Sequence, residues 1–205
     1  MSILVSGSLV YDHIMNFPDS FKSHILPDQI HVLNVCFMID RLDRSWGGTG
    51  GNIAFGLKML GLDPMLVSAV GGDGKDYVNY LARHGINVEN ILLDKKTPTA
   101  SAYITTDVDD NQISAFYNGP LDTAKNIDIK KIKGVGLAII SPTHKEVMKK
   151  HLKDCFEIGV KTVFDPGQQI TAFSGQELQQ MISQSYFVIG NDYEIKLLQE
   201  RTGWD

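Results

Sequence analysis

The sequence predicts an α/β fold: a doubly wound, mostly parallel β-sheet with helices on both faces, accompanied by a small second β-sheet. Three observations carry that expectation. Short apolar runs alternate with helix-length amphipathic stretches from Met65 to Arg201, the pattern of consecutive βαβ units. The first run, Ile3 to Val5, is stopped by Ser6-Gly7-Ser8, as a buried strand stops at a tight turn. Two further runs, Ala100 to Thr106 and Ile113 to Tyr117, are joined by the polar turn Asp107-Val108-Asp109-Asp110-Asn111, which has hairpin character and sets a small sheet apart from the main one.

Taken in order, the strand at Ile3 is followed by Asp12, whose local pattern is that of a solvated turn or capping carboxylate. Residues Pro27 to Ser45 place β-branched and apolar side chains in rough alternation from Ile30 to Leu42, which predicts one or two strands. The stretch from Trp46 to Asp73 reads as a glycine cluster, a short helix, a strand and a second glycine turn. Ile53, Ala54, Leu57 and Leu60 fall at helical spacing, and Gly61 sits where a left-handed cap is wanted. Four glycines between Gly47 and Asn52 leave the backbone bare, and the helix that follows should point free N–H groups into that loop, where hydroxyls or anions fit. Asn52 offers a carbonyl acceptor and an amide donor, the pairing that grips a vicinal diol. The cluster reads equally well as a flexible surface turn with Asn52 as its cap.

Beyond it, a strand at Met65–Val70 leads to a helix at Asp76–His84 ended by Gly85. A strand at Gly136–Ser141 leads to a helix at Lys145–Ile158 ended by Gly159. Lys161–Phe164 is a strand followed by Asp165-Pro166-Gly167, then come a helix at Gly175–Ser183, a strand at Tyr186–Ile189 and a helix at Asp192–Arg201. No repeat, low-complexity segment or linker interrupts the 205 residues.

Composition excludes several classes. Apolar residues make up 43% and charged residues 21%, ordinary for a globular protein large enough to bury one core. The net charge is −5 and no Lys/Arg block stands out, so nucleic acid is not the expected partner. Cys36 and Cys155 are too few and too distant for a disulfide framework or a zinc site. No basic leader and no apolar run of membrane-spanning length occurs, and a cytoplasmic, non-membrane protein is expected.

Polar residues gather at the carboxyl ends of the expected strands, where open α/β sheets bind ligands: Ser8 and Asp12, Asp73, Asp165 with Gln168 and Gln169, and Asn191. Gly47-Gly48, Gly51-Asn52 and Gly71-Gly72-Asp73 together resemble the N-terminal signature of the ribokinase-type (PfkB) sugar and nucleoside kinases. Further motifs look like bacterial adenosine kinases: G-S-L-V-Y-D-H at Gly7–His13, L-P-D-Q-I-H at Leu26–His31, T-T-D-V-D-D-N-Q-I at Thr105–Ile113, F-Y-N-G at Phe116–Gly119, D-P-G-Q-Q at Asp165–Gln169 and N-D-Y-E at Asn191–Glu194. The resemblance runs from Gly7 to Trp204.

The resemblance implies a ribokinase-like fold with a β-sheet lid built from strands near 27–45 and 99–118, a lid that often serves such proteins as a homodimer interface. It implies that Ser8, Asp12, Gly48 and Asn52 hold a ribose, that Phe116 packs on a purine, and that Gln168 and Gln169 line the nucleoside pocket. Phe116 reads nearly as well as a core residue of the lid sheet. Ala102 stands where related adenosine kinases carry a second aromatic, which leaves room for a different nucleoside or a plain sugar. Asn191 and Glu194 match the family's N-x-x-E motif, which organises Mg²⁺ through water near the phosphates of ATP, and they also read as a capping box.

Phosphoryl transfer also needs a base and a nucleotide site, which in this family belong to a G-A-G-D-like motif in the C-terminal part. No such motif occurs in the 205 residues. The expectation is therefore an ATP-dependent phosphotransferase acting on adenosine or a related ribosyl substrate, of which residues 1–205 form the N-terminal portion, inactive alone. The chain alone should be marginally stable or associate, because a sheet edge and apolar helix faces would be bare. A nucleoside-binding module without turnover, or an interaction module working through the lid, is the alternative class, and ribose the alternative substrate.

Overall fold

The computed structural model of the protein describes residues 2–204. In chain order the regular elements are β1 (Ser2–Ser6), β2 (Val10–Asn16), β3 (Arg41–Gly47), α1 (Thr49–Met59), β4 (Pro64–Gly71), α2 (Lys75–Arg83) and β5 (Asn87–Asp94). They continue with β6 (Ser101–Thr106), β7 (Gln112–Tyr117), β8 (Val135–Ile140), α3 (Lys145–Glu157), β9 (Lys161–Phe164), α4 (Gly175–Ser183), β10 (Phe187–Val188) and α5 (Asp192–Thr202). Six strands form one parallel sheet in the order β10-β9-β8-β1-β4-β5, and four form a mixed sheet in the order β3-β2-β6-β7. No helix among the described residues is long and apolar enough to cross a membrane.

The parallel sheet is covered on both sides, which is why its strands are continuous apolar runs. On β1, Leu4 packs with Ala138, Ile140, Met148 and Leu152 under α3, while Val5 packs with Leu66, Val70, Ala54 and Leu81 under α1 and α2. All of these are essentially inaccessible. Strand β1 lies between β4 and β8, so the chain fills one half of the sheet through β4 and β5, then crosses to fill the other through β8, β9 and β10. The switch point therefore falls between β1 and β8. Strand β10 pairs only with β9 among the described residues, and Tyr186, Phe187 and Ile189 are exposed around it.

Four local expectations need correction. The strand read between Ile30 and Leu42 is absent: Pro27–Val32 forms 3-10 turns with Pro27 in the first turn, and the strand comes later, at Arg41–Gly47. The alternation there has no face to bury, since Ile30, Val32 and Leu33 are each more than half exposed. Strand β2 replaces the turn expected at Asp12, and β5 occupies a stretch for which no strand was expected. Finally, α1 begins at Thr49, so Gly50 and Gly51 belong to its first turn rather than to a loop before it.

Glycine is a poor helix former, and close approach explains both. A Cβ on Gly50 would lie 2.7 Å from the Gly7 carbonyl carbon, and one on Gly51 would lie 2.1 Å from the Tyr77 hydroxyl. The small sheet follows the hairpin expectation at β6–β7. Its turn is closed by the Asp107 carboxylate, which accepts from the N–H groups of Phe21, Asp109 and Asn111.

Candidate functional site

At the switch point the loops after β1, β8 and β9 and one face of the small sheet enclose a cleft of about 310 Å³. Ser8, Asp12, Gly48, Asn52, Phe116, Gln168 and Gln169 all line it. The rule that open α/β sheets bind ligands at this point explains why residues so far apart in sequence meet.

The small sheet brings its share through register. Asp12 on β2 pairs with Ala102 on β6, and Ala102 pairs with Phe116 on β7, so the three form a row across the sheet on the face toward the cleft. Ala102 keeps the middle of that row short. Phe116 is about half exposed, at 52%. The Asp12 carboxylate lies so close to the next strand that a Cβ on Gly47 would be 1.9 Å from it, which is why that position is glycine. Burial pushes the Asp12 carboxyl above the usual range, opposed only by the charge of neighbouring His13 and by no hydrogen bond.

The other wall is built from loops. Gln168 and Gln169 ride on the 3-10 turn at Gly167–Ala172 that follows β9. Gly48 has φ of 91°, and a Cβ there would meet the Ser8 carbonyl oxygen at 2.5 Å, so only glycine fits. Ser8 is nearly buried and turns toward α1: its carbonyl accepts from the N–H groups of Gly50 and Gly51 at 3.0 and 3.3 Å, and its hydroxyl accepts from the N–H of Thr49 at 3.2 Å. This corrects the expectation of free donors at the start of α1. The first three amides of the helix are already satisfied, and the glycines serve packing instead of anion binding.

Four other expected residues, Asp73, Asp165, Asn191 and Glu194, do not line the cleft. The Asp73 carboxylate accepts from the N–H and hydroxyl of Thr99 at 2.7 and 2.6 Å, fastening the chain between β5 and β6. Burial pushes its carboxyl up, but those bonds hold it below the ordinary range. Asn191 and Glu194 form the capping box of α5: the Asn191 side chain accepts from the Glu194 N–H, and the Glu194 carboxylate accepts from the Asn191 N–H, both at 2.9 Å. Beside them, burial and then the negative charge of Glu194 raise the Asp165 carboxyl to about 6. No group of three or more His, Cys, Asp or Glu among the described residues is arranged to hold a metal by itself.

Sequence reasoning missed Thr49, Asn118 and Thr143 in the cleft lining. Thr143 follows the end of β8, so the strand-end rule that found Gln168 also finds it. Thr49 is the one residue between Gly47 and Gly51 that is not glycine, and that exception is the signal that marks its side chain.

A sequence profile described as pfkB family carbohydrate kinase matches residues 8–205. This chain belongs to the PfkB family. A nucleoside kinase from Methanothermobacter thermautotrophicus is 32% identical over 202 residues, which cover 94% of this PfkB chain and 60% of that protein. Among solved structures, Burkholderia thailandensis nucleoside kinase in complex with inosine superposes with a TM-score of 0.88 at 34% identity, covering all of this chain and 65% of that one. Nucleoside kinase from Methanocaldococcus jannaschii, an archaeal member of the ribokinase family, gives 0.87 at 26% identity over all of this chain and 66% of its own. The chain thus spans a little under two thirds of these relatives, and its fold is ribokinase-like.

Proposed function

We propose that this chain forms the nucleoside-holding part of an ATP-dependent kinase that transfers the γ-phosphoryl group to the 5′-hydroxyl of a nucleoside, with adenosine as the acceptor. The observation that carries this reading is the meeting of Ser8, Asp12, Gly48, Asn52, Phe116, Gln168 and Gln169 in one cleft at the switch point of a PfkB-family fold. The similarity to proteins named nucleoside kinases supports it.

Each residue has a role that its surroundings fit. The half-buried Asp12 carboxylate, lowered by no hydrogen bond of its own, accepts from the ribose 2′- and 3′-hydroxyls. Asn52 matches that diol with an acceptor and a donor. Gly48 lets the sugar lie against bare backbone, and Ser8 fixes the floor beneath it. Phe116 stacks on the base, worth on the order of 1 kcal/mol beyond area burial, and the Gln168 and Gln169 amides face the base edge.

Magnesium fits the end of the sheet beside α5. Asp165 and Glu194 are two carboxylates whose mutual repulsion a hydrated cation relieves, and Mg²⁺ suits one or two carboxylates because it keeps most of its waters. Asn191, whose side-chain oxygen is spent on the Glu194 N–H, holds the helix start that presents Glu194. When bound there with the nucleotide, the ion supplies charge neutralisation at the phosphates. A second copy of the chain is the proposed partner, seated on the outer face of the small sheet where Leu42, Tyr103 and Ile113 are exposed, and light scattering should then give twice 22.7 kDa.

Thermal unfolding with adenosine, inosine or ribose tests the acceptor, and ADP release from magnesium-ATP in the same samples tests turnover. Protection by adenosine above that by ribose is the expected result. Equal protection by ribose, or none by any nucleoside, would overturn the nucleoside assignment.

A further inference from the structure

We propose that Thr49 is a positioning residue for the acceptor: its hydroxyl ties the exit of β1 to the exit of β8 across the switch point and thereby sets the width of the cleft. The proposal rests on the reading of the cleft as a nucleoside site.

Strands β1 and β8 are paired through Ser6 and Ile140, and the Ser141 N–H still reaches the Ser6 carbonyl at 2.8 Å. Beyond that bond the chain leaving β1 runs against both the β8 exit and the first turn of α1, and a Cβ on Gly7 would lie 2.1 Å from the Ser141 hydroxyl. A Cβ on Gly7 would lie 2.7 Å from the Gly50 Cα, and one on Gly50 would lie 2.7 Å from the Gly7 carbonyl carbon, so neither chain has room for a side chain at the crossing. The fastening falls to a few polar groups beside it.

Thr49 stands at their centre. Its hydroxyl donates to the Pro142 carbonyl at 2.8 Å and lies 3.2 Å from the Ser141 hydroxyl and 3.3 Å from the Ser8 hydroxyl. Its own N–H donates to that same Ser8 hydroxyl at 3.2 Å. The Thr49 proton is committed to Pro142, the shortest of these contacts, and Ser141 donates to the Ser6 carbonyl at 3.2 Å. Ser8 is thus left to donate to Thr49, and one oxygen joins the first turn of α1, the β1 exit and the β8 exit. The Ser8 N–H adds a parallel tie to the Pro142 carbonyl at 3.2 Å. Ser8, Pro142 and Thr143, beside this knot, all line the cleft. A threonine inside a glycine cluster, where a fifth glycine would fit the backbone equally well, is explained by the hydroxyl.

Thr49→Val keeps the shape and removes the hydroxyl, and Thr49→Ser keeps the hydroxyl. Calorimetric titration with inosine is expected to show roughly tenfold weaker binding for Thr49→Val and binding within about twofold of the parent for Thr49→Ser. Amide hydrogen exchange is read alongside. In Thr49→Val, exchange should speed up at Ser8, Gly50 and Ser141 and stay unchanged in α4. Unchanged inosine binding by Thr49→Val would overturn the proposal, as would an equal loss in Thr49→Ser, which would assign the effect to side-chain volume. Acceleration spread over the whole chain would also overturn it, because it would mark a general loss of stability. Should the parent chain bind neither inosine nor adenosine, the nucleoside reading falls, and the exchange pattern at Ser8 and Ser141 still decides whether Thr49 is the tie.

Discussion

In the six-stranded sheet Leu4 and Val5 are adjacent and both fully buried, one on each face, whereas every residue of β7 in the four-stranded sheet is exposed. The parallel sheet has helices against both sides. The small sheet has the cleft on one side; on the other, Tyr11 and Trp46 pack on Tyr77 and Tyr80 of α2, while the far edge at β7 lies open. Both supply cleft residues, but with different support. Ser8, Thr143 and Gln168 are placed by loops anchored in a core, while Asp12 and Phe116 are placed by ladder hydrogen bonds and register. Elements with few buried contacts open at lower free energy. The β7 edge is therefore the less supported part of the cleft wall.

That contrast can be broken most forcefully from the core. Phe164, fully buried at the end of β9, is expected on replacement by Ala to cost about 3–5 kcal/mol of stability, read from urea unfolding. A loss below about 1 kcal/mol would mean that the parallel sheet is not the rigid half. Next is pH. Imidazole His151 is buried between the Ser6 hydroxyl, 2.8 Å from Nδ1, and the Ala124 carbonyl, 3.0 Å from Nε2, and burial lowers it to about 4 from 6.5. The unfolded chain takes up the proton first, so this stability is complete above pH 6.5 and is lost as pH falls from there to 4, by about 3 kcal/mol. Unfolding across that range for the parent and His151→Asn isolates the effect, and identical profiles would contradict it.

The small sheet should respond in the opposite sense. Phe116→Ala is expected to leave stability within about 0.5 kcal/mol and to weaken nucleoside binding by about 1 kcal/mol, because the ring is half exposed and its proposed packing is on the ligand. A loss of stability larger than the loss of binding would make Phe116 a structural residue of the small sheet, the other role its sequence context allowed.

The same division governs what was legible in the sequence. Strands β1, β4, β8 and β9 are continuous apolar runs between helices, and burial on both faces writes that signal strongly. Strand β2 was hidden because its residues serve different surroundings: Tyr11 is buried, Asp12 faces the cleft, His13 stacks on Tyr103, and Ile14 is exposed. The alternation near Ile30 imitated a strand because period alone does not reveal whether a partner exists. The cleft residues were legible through strand ends and motif resemblance. The spent amides of α1 and the tie at Thr49 were not, because both depend on Ser8 and Pro142 coming from distant parts of the chain.

The nucleoside reading rests on Asp12, a half-buried carboxylate on the small-sheet wall of the cleft. The direct measurement is calorimetric binding of adenosine to the parent and to Asp12→Ala, with melting temperature recorded for each. Removing a charged acceptor should weaken binding by roughly 10- to 100-fold while leaving the melting temperature equal or higher, since a desolvated carboxylate is lost. Equal affinity in the two chains would contradict the placement of the ribose against Asp12, and with it the nucleoside reading of the cleft.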